Sequence, residues 1–143
     1  VLQKAEQATQ KSGLGDRVSF RKGDVRSIPF GDNSLDLVVS TLSLHHWDDP
    51  VAVLDEIARV LRPHGAYVIF DLRRDMFPPG YLLIWFVTRY IVPHALRRIR
   101  EPLNSRNASY TPDEASALVG MSELTGAQIT TGPIWLTIEG EMP

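Results

Sequence analysis

Polar residues that could do acid–base or binding chemistry stand a few residues after two strand-like segments. His45 and His46 follow the apolar segment at residues 35–40, and Asp24 follows the alternating segment at residues 17–21. Histidine exchanges a proton near neutral pH, so either imidazole could remove one from an oxygen or nitrogen nucleophile. The alternative is that the histidines only cap or pack beside the next tryptophan. A carboxylate such as Asp24 only accepts hydrogen bonds, which suits a ligand N–H, although a loop aspartate also closes local turns.

The apolar pattern predicts the elements that must position these residues. Residues 35–40 and 66–71 have the composition of buried strands, and residues 17–21 alternate like a short strand. Residues 50–61 keep apolar side chains at helical spacing, behind an aspartate that can cap the helix. Strands separated by amphipathic helices predict an open α/β sheet with helices on both faces. Ligands of such sheets bind beyond the carboxyl ends of the strands.

The two ends of the chain predict a helix and a hairpin. Residues 1–11 are good helix formers without Gly or Pro. Residues 111–114 (Thr-Pro-Asp-Glu) carry a capping-box signature, so a further helix should begin there. Residues 127–131 and 134–139 are predicted strands with a join too short for a crossover, which makes them an antiparallel hairpin.

The composition of the chain excludes several classes of function. The 143 residues allow one domain, and 43% hydrophobic with 22% charged residues is typical of a globular chain. The absence of cysteine excludes a disulfide scaffold, a zinc–thiolate site and a cysteine nucleophile, and it fits a cytoplasmic protein. A net charge of −2 argues against nucleic acid as a partner. The four histidines form no metal-ligand motif, so we predict no metal.

Residues 73–106 hold seven arginines against two acids. Within them, residues 81–100 mix aromatic side chains with arginines, which suits a cover over an apolar substrate that carries a negative group, or peripheral contact with a membrane surface. The unbroken apolar run is too short to span a bilayer. The alternative is a helix whose apolar face belongs to the core.

The ordered set of motifs resembles the class I methyltransferases that use S-adenosylmethionine, and most of all their broad type 11 small-molecule group. The matching segments are residues 23–25, 28–38, 40–46 and 54–65. No single segment is decisive, but all occur at consistent spacing between residues 13 and 71. The resemblance implies a Rossmann-like open sheet that ends in an antiparallel hairpin, S-adenosylmethionine as cofactor and a small molecule as methyl acceptor.

The resemblance also implies roles for individual residues. Asp24 would accept a hydrogen bond from the adenine amino group, with the Val25 N–H against the ring. Ser40, Thr41 and Leu42 would pass the methionine part of the cofactor, although they could also simply end a strand. His45 and His46 would lie at the mouth of the substrate site as candidate catalytic residues. Residues 73–110 would be an insertion that covers the substrate.

One departure from the family pattern concerns the cofactor loop. The glycine-rich loop after the family's first strand, and the acidic residue that ends its second strand, are not found in the sequence. Residues 1–143 therefore resemble a partial methyltransferase domain that lacks the first two strands, which in the family lie between the strands at residues 17–21 and 35–40. We expect an N-terminally truncated fragment of a longer protein.

Two other classes of function stay open at this point. A nicotinamide-dependent Rossmann oxidoreductase shares the α/β architecture, and fold does not fix function. A non-catalytic fragment or partner would account for the missing cofactor loop. The run at residues 28–38 and the closing hairpin favour the methyltransferase.

Overall fold

The computed structural model describes residues 2–76 and 108–143 and, between them, Pro79, Gly80, Leu82, Phe86 and Tyr90. Most of the predicted covering segment, residues 73–110, lies outside the described residues. In chain order the elements are helix α1 (Leu2–Lys11), strand β1 (Leu35–Thr41), a 3-10 turn (Leu44–His46), helix α2 (Pro50–Val60), strand β2 (Leu61–Leu72), helix α3 (Pro112–Gly120), strand β3 (Gln128–Thr131) and strand β4 (Trp135–Glu141).

The described strands form one mixed sheet with the order β1-β2-β4-β3. Strands β1 and β2 are parallel, whereas β4 is antiparallel to both β2 and β3. The predicted hairpin is confirmed, and its second strand is the one that joins β2. The carboxyl ends of β1 and β2 therefore meet at the same edge, which is where the candidate residues Ser40 to Leu42, His45 and His46 lie.

The predicted strand at residues 17–21 is wrong. This segment has no strand hydrogen bonds, and the Arg17 and Val18 amides donate instead to the Leu14 carbonyl at 3.0 and 3.1 Å. A strand needs a neighbour to satisfy its backbone groups. Among the described residues no strand lies beside this segment, so alternation alone does not produce a strand here.

Helix α2 begins and ends close to its predicted bounds. The Asp49 carboxylate caps it by accepting from the Ala52 amide at 3.1 Å. Its apolar side chains, Val53, Leu54 and Ile57 among them, are buried in the same hydrophobic cluster as residues of β2 and β4. The capping box at α3 is also confirmed, because Thr111 and Glu114 exchange side-chain and backbone hydrogen bonds.

Strand β2 begins five residues before the predicted bound. The register of β1 against β2 shifts between Leu35 and Leu37, which accommodates a left-handed residue, His64, at φ 61°. A positive φ mildly strains any residue with a side chain, although histidine tolerates it better than a branched residue does. The next residue must be glycine, because a Cβ on Gly65 would lie 2.8 Å from the Arg62 carbonyl oxygen.

Strand β1 is an edge strand of the described sheet, and it carries exposed apolar side chains. Leu37 and Val39 are 55% and 57% exposed, and no described strand pairs with this edge. Proteins usually cover or charge such an edge, since its unpaired N–H and C=O groups can recruit another strand. None of the described helices is long and apolar enough to cross a bilayer.

Candidate active site

His45 is buried at the carboxyl edge of the sheet and paired with a carboxylate. It lies in the short turn between β1 and α2, and its side chain is 3% exposed. The ring Nδ1 is 2.8 Å from Asp71 Oδ1 and 2.9 Å from Oδ2. Asp71 is the penultimate residue of β2, so the parallel pairing of β1 and β2 brings these two groups together across 26 residues of chain.

Asp71 is held by main-chain donors as well as by the imidazole. The amide of His45 donates to Oδ2 at 3.0 Å and the amide of Leu72 donates to Oδ1 at 2.7 Å. Hydrogen bonds from N–H groups stabilise an ionised carboxylate and compensate for its loss of water. The side chain of His45 is thus oriented by a carboxylate that is itself fixed by two backbone amides.

The second ring nitrogen of His45 has no hydrogen-bond partner among the described residues. Nε2 is buried, yet no donor or acceptor reaches it. Buried polar atoms are rarely left unsatisfied, and the exceptions concentrate at sites that bind a ligand or do chemistry. This atom is therefore the strongest indication of an active site in the described part of the chain.

His46 lies beside His45 but in a different environment. The two rings are tilted with centroids 4.0 Å apart, and His46 is exposed whereas His45 is buried. The sequence treated the pair as equivalent. The structure separates them, because the short turn directs one side chain into the core and leaves the other at the surface.

The predicted methionine-side segment, Ser40 to Leu42, ends β1 at the same edge. Leu42 is in the left-handed region at φ 52°, and its amide donates to the Phe70 carbonyl at 2.8 Å. Its side chain is 50% exposed. Branched apolar residues rarely adopt this conformation, and such strain tends to occur where the backbone approaches a ligand.

Asp24 and Val25, the predicted adenine-side residues, lie on an exposed loop. Both Asp24 oxygens are engaged by Arg26, through its amide at 2.9 Å and its guanidinium at 2.9 and 3.2 Å. The side-chain and backbone hydrogen bonds from Arg26 lower the Asp24 pKa to about 2. The carboxylate is therefore ionised and a pure acceptor, but an adenine amino group would have to displace Arg26 to reach it.

A salt-bridge network anchors this loop to α2. Arg59 donates to the carbonyl oxygens of Phe30 and Ile28, both at 3.1 Å, and to Asp32 at 2.6 Å. It also pairs with Glu56, whose Oε2 accepts from the Ile28 amide at 2.8 Å. The guanidinium of Arg59 and the Ile28 amide lower the Glu56 pKa. The i, i+3 spacing of Glu56 and Arg59 is that of a surface ion pair, and nothing local in the sequence reveals a partner about 30 residues away.

A second polar cluster lies just beyond the carboxyl end of β2. The Arg74 amide donates to the Tyr110 carbonyl at 3.2 Å, and its guanidinium contacts Ser109 and Glu114. Burial raises the Tyr110 pKa, and the negative charges of Glu114 and Asp71 add to the effect.

Asp71 is a candidate functional residue to which the sequence alone assigned no role. Its signal was its position, an acid at the carboxyl end of a buried strand, but its partner could not be known without the register of the sheet. Among the described residues, no three histidine or acidic side chains group as metal ligands.

Part of the chain matches a known protein family. Residues 1–69, just under half of the chain, match the family model described as a methyltransferase domain. Over this part the chain is similar to S-adenosylmethionine-dependent methyltransferases.

Individual proteins are similar to the chain in sequence or in fold. An uncharacterized methyltransferase of Bacillus subtilis, YcgJ, is 29% identical over 115 residues, which is 80% of this chain and 42% of that protein. An uncharacterized protein of Escherichia coli, YafE, is 36% identical over 90 residues, which is 62% of this chain and 40% of that protein. A crystal structure of a SAM-dependent methyltransferase from Aquifex aeolicus shares the fold, with a TM-score of 0.64 at 18% identity over 97% of this chain and 62% of that one. The chain thus spans about two fifths of the curated relatives' length.

The family implies S-adenosylmethionine as the cofactor, and the described residues fit it in part. Ser40 to Leu42 are accessible at the edge of the sheet, next to the buried His45. The Asp24 carboxylate has the right chemistry for an amino group but is held by Arg26. Asp24, Val25 and Ser40 to Leu42 therefore stay predicted cofactor residues.

Proposed function

We propose that this protein transfers a methyl group from S-adenosylmethionine to a small-molecule acceptor at the carboxyl edge of β1 and β2. The observation that carries the proposal is His45, a buried imidazole fixed by Asp71 whose Nε2 has no partner in the described part of the chain. When bound, S-adenosylmethionine supplies an electrophilic methyl group on a sulfonium. The contribution of this chain is to hold the acceptor in line and, at His45, to receive a proton.

The cofactor-side residues in this proposal are Asp24, Val25, Ser40, Thr41 and Leu42. The ionised Asp24 would accept from the adenine amino group after Arg26 moves aside, and the Val25 amide would face the ring. The left-handed backbone at Leu42 supports a close approach of the methionine part to the end of β1. His46, exposed beside His45, is the candidate for contact with the acceptor at the mouth of the site.

The acceptor in this proposal is apolar, anionic or both. The support is the composition of residues 73–106, which carry seven arginines against two acids together with several aromatic side chains. An arginine-rich segment attracts anionic groups, and aromatic side chains cover apolar surface. The same composition also supports peripheral contact with an anionic membrane surface, which vesicle sedimentation tests directly.

We further propose that the active enzyme is longer than these 143 residues. Three observations support this proposal. Strand β1 exposes apolar side chains at the edge of the sheet, the sequence has no glycine-rich loop, and the chain matches only about two fifths of the length of its two relatives. Upstream sequence with a strand ending in Gly-x-Gly, followed by an acid about 20 residues later, is the expected finding.

Calorimetry separates this function from its alternatives. S-adenosylmethionine and NAD are titrated into the 143-residue chain and into a chain extended upstream. Binding of S-adenosylmethionine to the extended chain supports the proposal. Binding of NAD alone would indicate an oxidoreductase, and binding of neither to the extended chain would indicate a non-catalytic protein.

Single substitutions in the extended chain test the two histidines. We expect His45→Ala to reduce turnover by about 10²- to 10⁴-fold, the usual contribution of a positioned acid–base group. His46→Ala should act mainly on the KM for the acceptor, because its ring is exposed. Unchanged turnover in both variants would exclude acid–base catalysis by either ring.

A further inference from the structure

We propose that the outer edge of β3, together with the groove between β3 and α3, is a docking surface for an extended basic segment of another protein. The segment would add a strand to the sheet, with basic and apolar side chains in alternation. In the described sheet β3 is the edge strand opposite β1, so this surface is separate from the candidate active site and does not depend on the proposed function.

The backbone of β3 has two residues that are free to pair with another strand. Among the described strands β3 pairs with β4 only, and an antiparallel ladder hydrogen-bonds every second residue of a strand. The Gly132 amide donates to the Trp135 carbonyl at 2.9 Å, which fixes the phase of this alternation. The N–H and C=O groups of Ile129 and Thr131 therefore point away from β4. Unpaired groups of this kind are a template for strand addition.

A groove of about 400 Å³ runs beside this edge. One wall is formed by residues three or four apart on α3, and the other by alternate residues that lead into and along β3: Pro112, Ser116 and Val119, and Ala127, Ile129 and Thr131. Four of these six residues are apolar and partly buried. Every second side chain of a strand points to the same face of a sheet, so an added strand would place alternate side chains toward this groove.

The charge of this part of the chain selects a basic occupant. Residues 107–143 contain five acidic residues and no Lys or Arg. Asp113 is exposed and lines the groove itself. Glu139 lies on β4 beside the edge strand, where its Oε1 accepts from Thr130 Oγ1 at 3.3 Å. A surface with this excess of carboxylates attracts a cationic segment and repels an anionic one.

Two described arginines contact this part of the fold, and each also pairs with an acid. Arg73 donates to the Gly132 carbonyl at 3.1 Å and to Asp75 at 2.8 Å, and Arg74 pairs with Glu114. These arginines therefore do not reverse the sign of the surface. The same charge disfavours a second copy of the chain, since two β3 edges side by side would bring two acidic stretches together. A basic segment of another protein is the occupant that fits.

Fluorescence anisotropy with labelled peptides and the 143-residue chain tests this surface. The probe is a short peptide that alternates lysine with valine. One comparison peptide has glutamate in place of lysine, and the other is the lysine peptide with methyl groups on its backbone nitrogens. We expect only the unmethylated lysine peptide to bind, because strand addition needs both the charge and the main-chain donors. Failure of that peptide to bind, or equal binding of either comparison peptide, would overturn the inference.

Three variants locate the bound peptide. Asp113→Asn should weaken its affinity by roughly two- to fivefold, the usual contribution of one exposed ion pair. Glu123→Gln is the matched control, because Glu123 is an exposed acid of the same stretch that does not line the groove, and it should leave the affinity unchanged. Thr131→Pro removes an outward N–H that β4 does not use, and it should weaken binding by about tenfold.

Equal effects of Asp113→Asn and Glu123→Gln would show that the peptide responds to net charge alone, which would overturn the docking surface. Full affinity in a folded Thr131→Pro protein would exclude strand addition at this edge. If Thr131→Pro does not fold, the methylated peptide tests the same hydrogen bonds from the side of the ligand.

Amide chemical shifts separate this surface from the edge of β1 and from self-association. The lysine peptide should shift the amides of Ile129 and Thr131 and leave those of Leu37 and Val39 unchanged. Shifts confined to Leu37 and Val39 would assign the peptide to β1 and overturn the inference. Shifts of the Ile129 amide that appear when the chain is concentrated without peptide would assign the edge of β3 to a second copy, which would also overturn it.

Discussion

At the scale of the residue, the main feature is a contrast between two carboxylates. Asp24 was expected to be a ligand acceptor and is exposed, with its charge neutralised locally by Arg26. Asp71 is buried, and the groups that it holds are brought together by the register of the sheet. Exposed ion pairs contribute little because water screens them, whereas a buried carboxylate must be fully hydrogen-bonded to persist. The buried pair is therefore the better indication of a specific site.

Leu42 provides a test of strain at the end of β1. Its φ of 52° favours glycine, and its side chain is half exposed, so Leu42→Gly removes strain at little loss of burial. We expect the free energy of unfolding to be unchanged or raised by up to about 1 kcal/mol, measured by urea denaturation. Leu37→Gly is the matched control, since Leu37 is equally exposed but lies inside β1, and it should cost about 0.5–1 kcal/mol. Equal losses in both variants would show that Leu42 stores no strain.

At the scale of the element, the sequence predicted the features that depend on residues close together in the chain. The cap of α2, the capping box of α3 and the hairpin all follow from residues within a few positions of each other, and all are confirmed. The strand at residues 17–21 failed because a strand is completed only by a partner. The pairing of His45 with Asp71 was not predictable for the same reason, since it depends on β1 lying parallel to β2.

The network between α2 and the loop of residues 24–32 gives a prediction at this scale. Arg59→Ala removes donors to two loop carbonyls and the partner of Glu56, so the loop should detach from the helix. We expect the Ile28 amide to exchange its hydrogen at least tenfold faster, since a hydrogen bond to a charged group contributes about 1.5–3 kcal/mol. Arg62→Ala, which breaks only the exposed pair with Asp36, is the control and should leave this amide unchanged.

The same network predicts a pH dependence. The Glu56 pKa is lowered in the folded state, so its stabilising effect is present above the ordinary glutamate pKa of about 4.3 and is lost as the pH falls through the lowered value. Exchange at Ile28 should therefore accelerate, relative to other protected amides, as the solution is acidified below about pH 4.3. We expect Glu56→Gln to show little of this pH dependence. If acid does not accelerate exchange at the wild-type Ile28 amide relative to other protected amides, Glu56 does not have this role.

At the scale of the whole molecule, the two parallel strands differ in their neighbours: β2 is paired on both sides, whereas β1 is paired with a described strand on one side only. The hairpin covers the far edge of β2, whereas β1 exposes Leu37 and Val39 along an edge that no described strand covers. The candidate site lies at the carboxyl end of this open strand, so a strand of a longer chain that paired with this edge would also lie on the cofactor side of the proposed site. Solubility and cofactor binding are therefore expected to change together.

A charge on the open edge tests this link. Val39→Lys places an ammonium on the most exposed apolar residue of β1, and lysine on an edge strand opposes pairing with another chain. We expect the 143-residue chain to self-associate and Val39→Lys to shift it toward monomer, as measured by sedimentation velocity over a range of concentrations. Leu14→Lys, an exposed apolar position outside the sheet, should not change the association. In a chain extended upstream the edge should be buried, so there the same Val39→Lys change should instead destabilise the fold and weaken S-adenosylmethionine binding. If both lengths of chain respond alike, the edge of β1 is not where the missing strands belong.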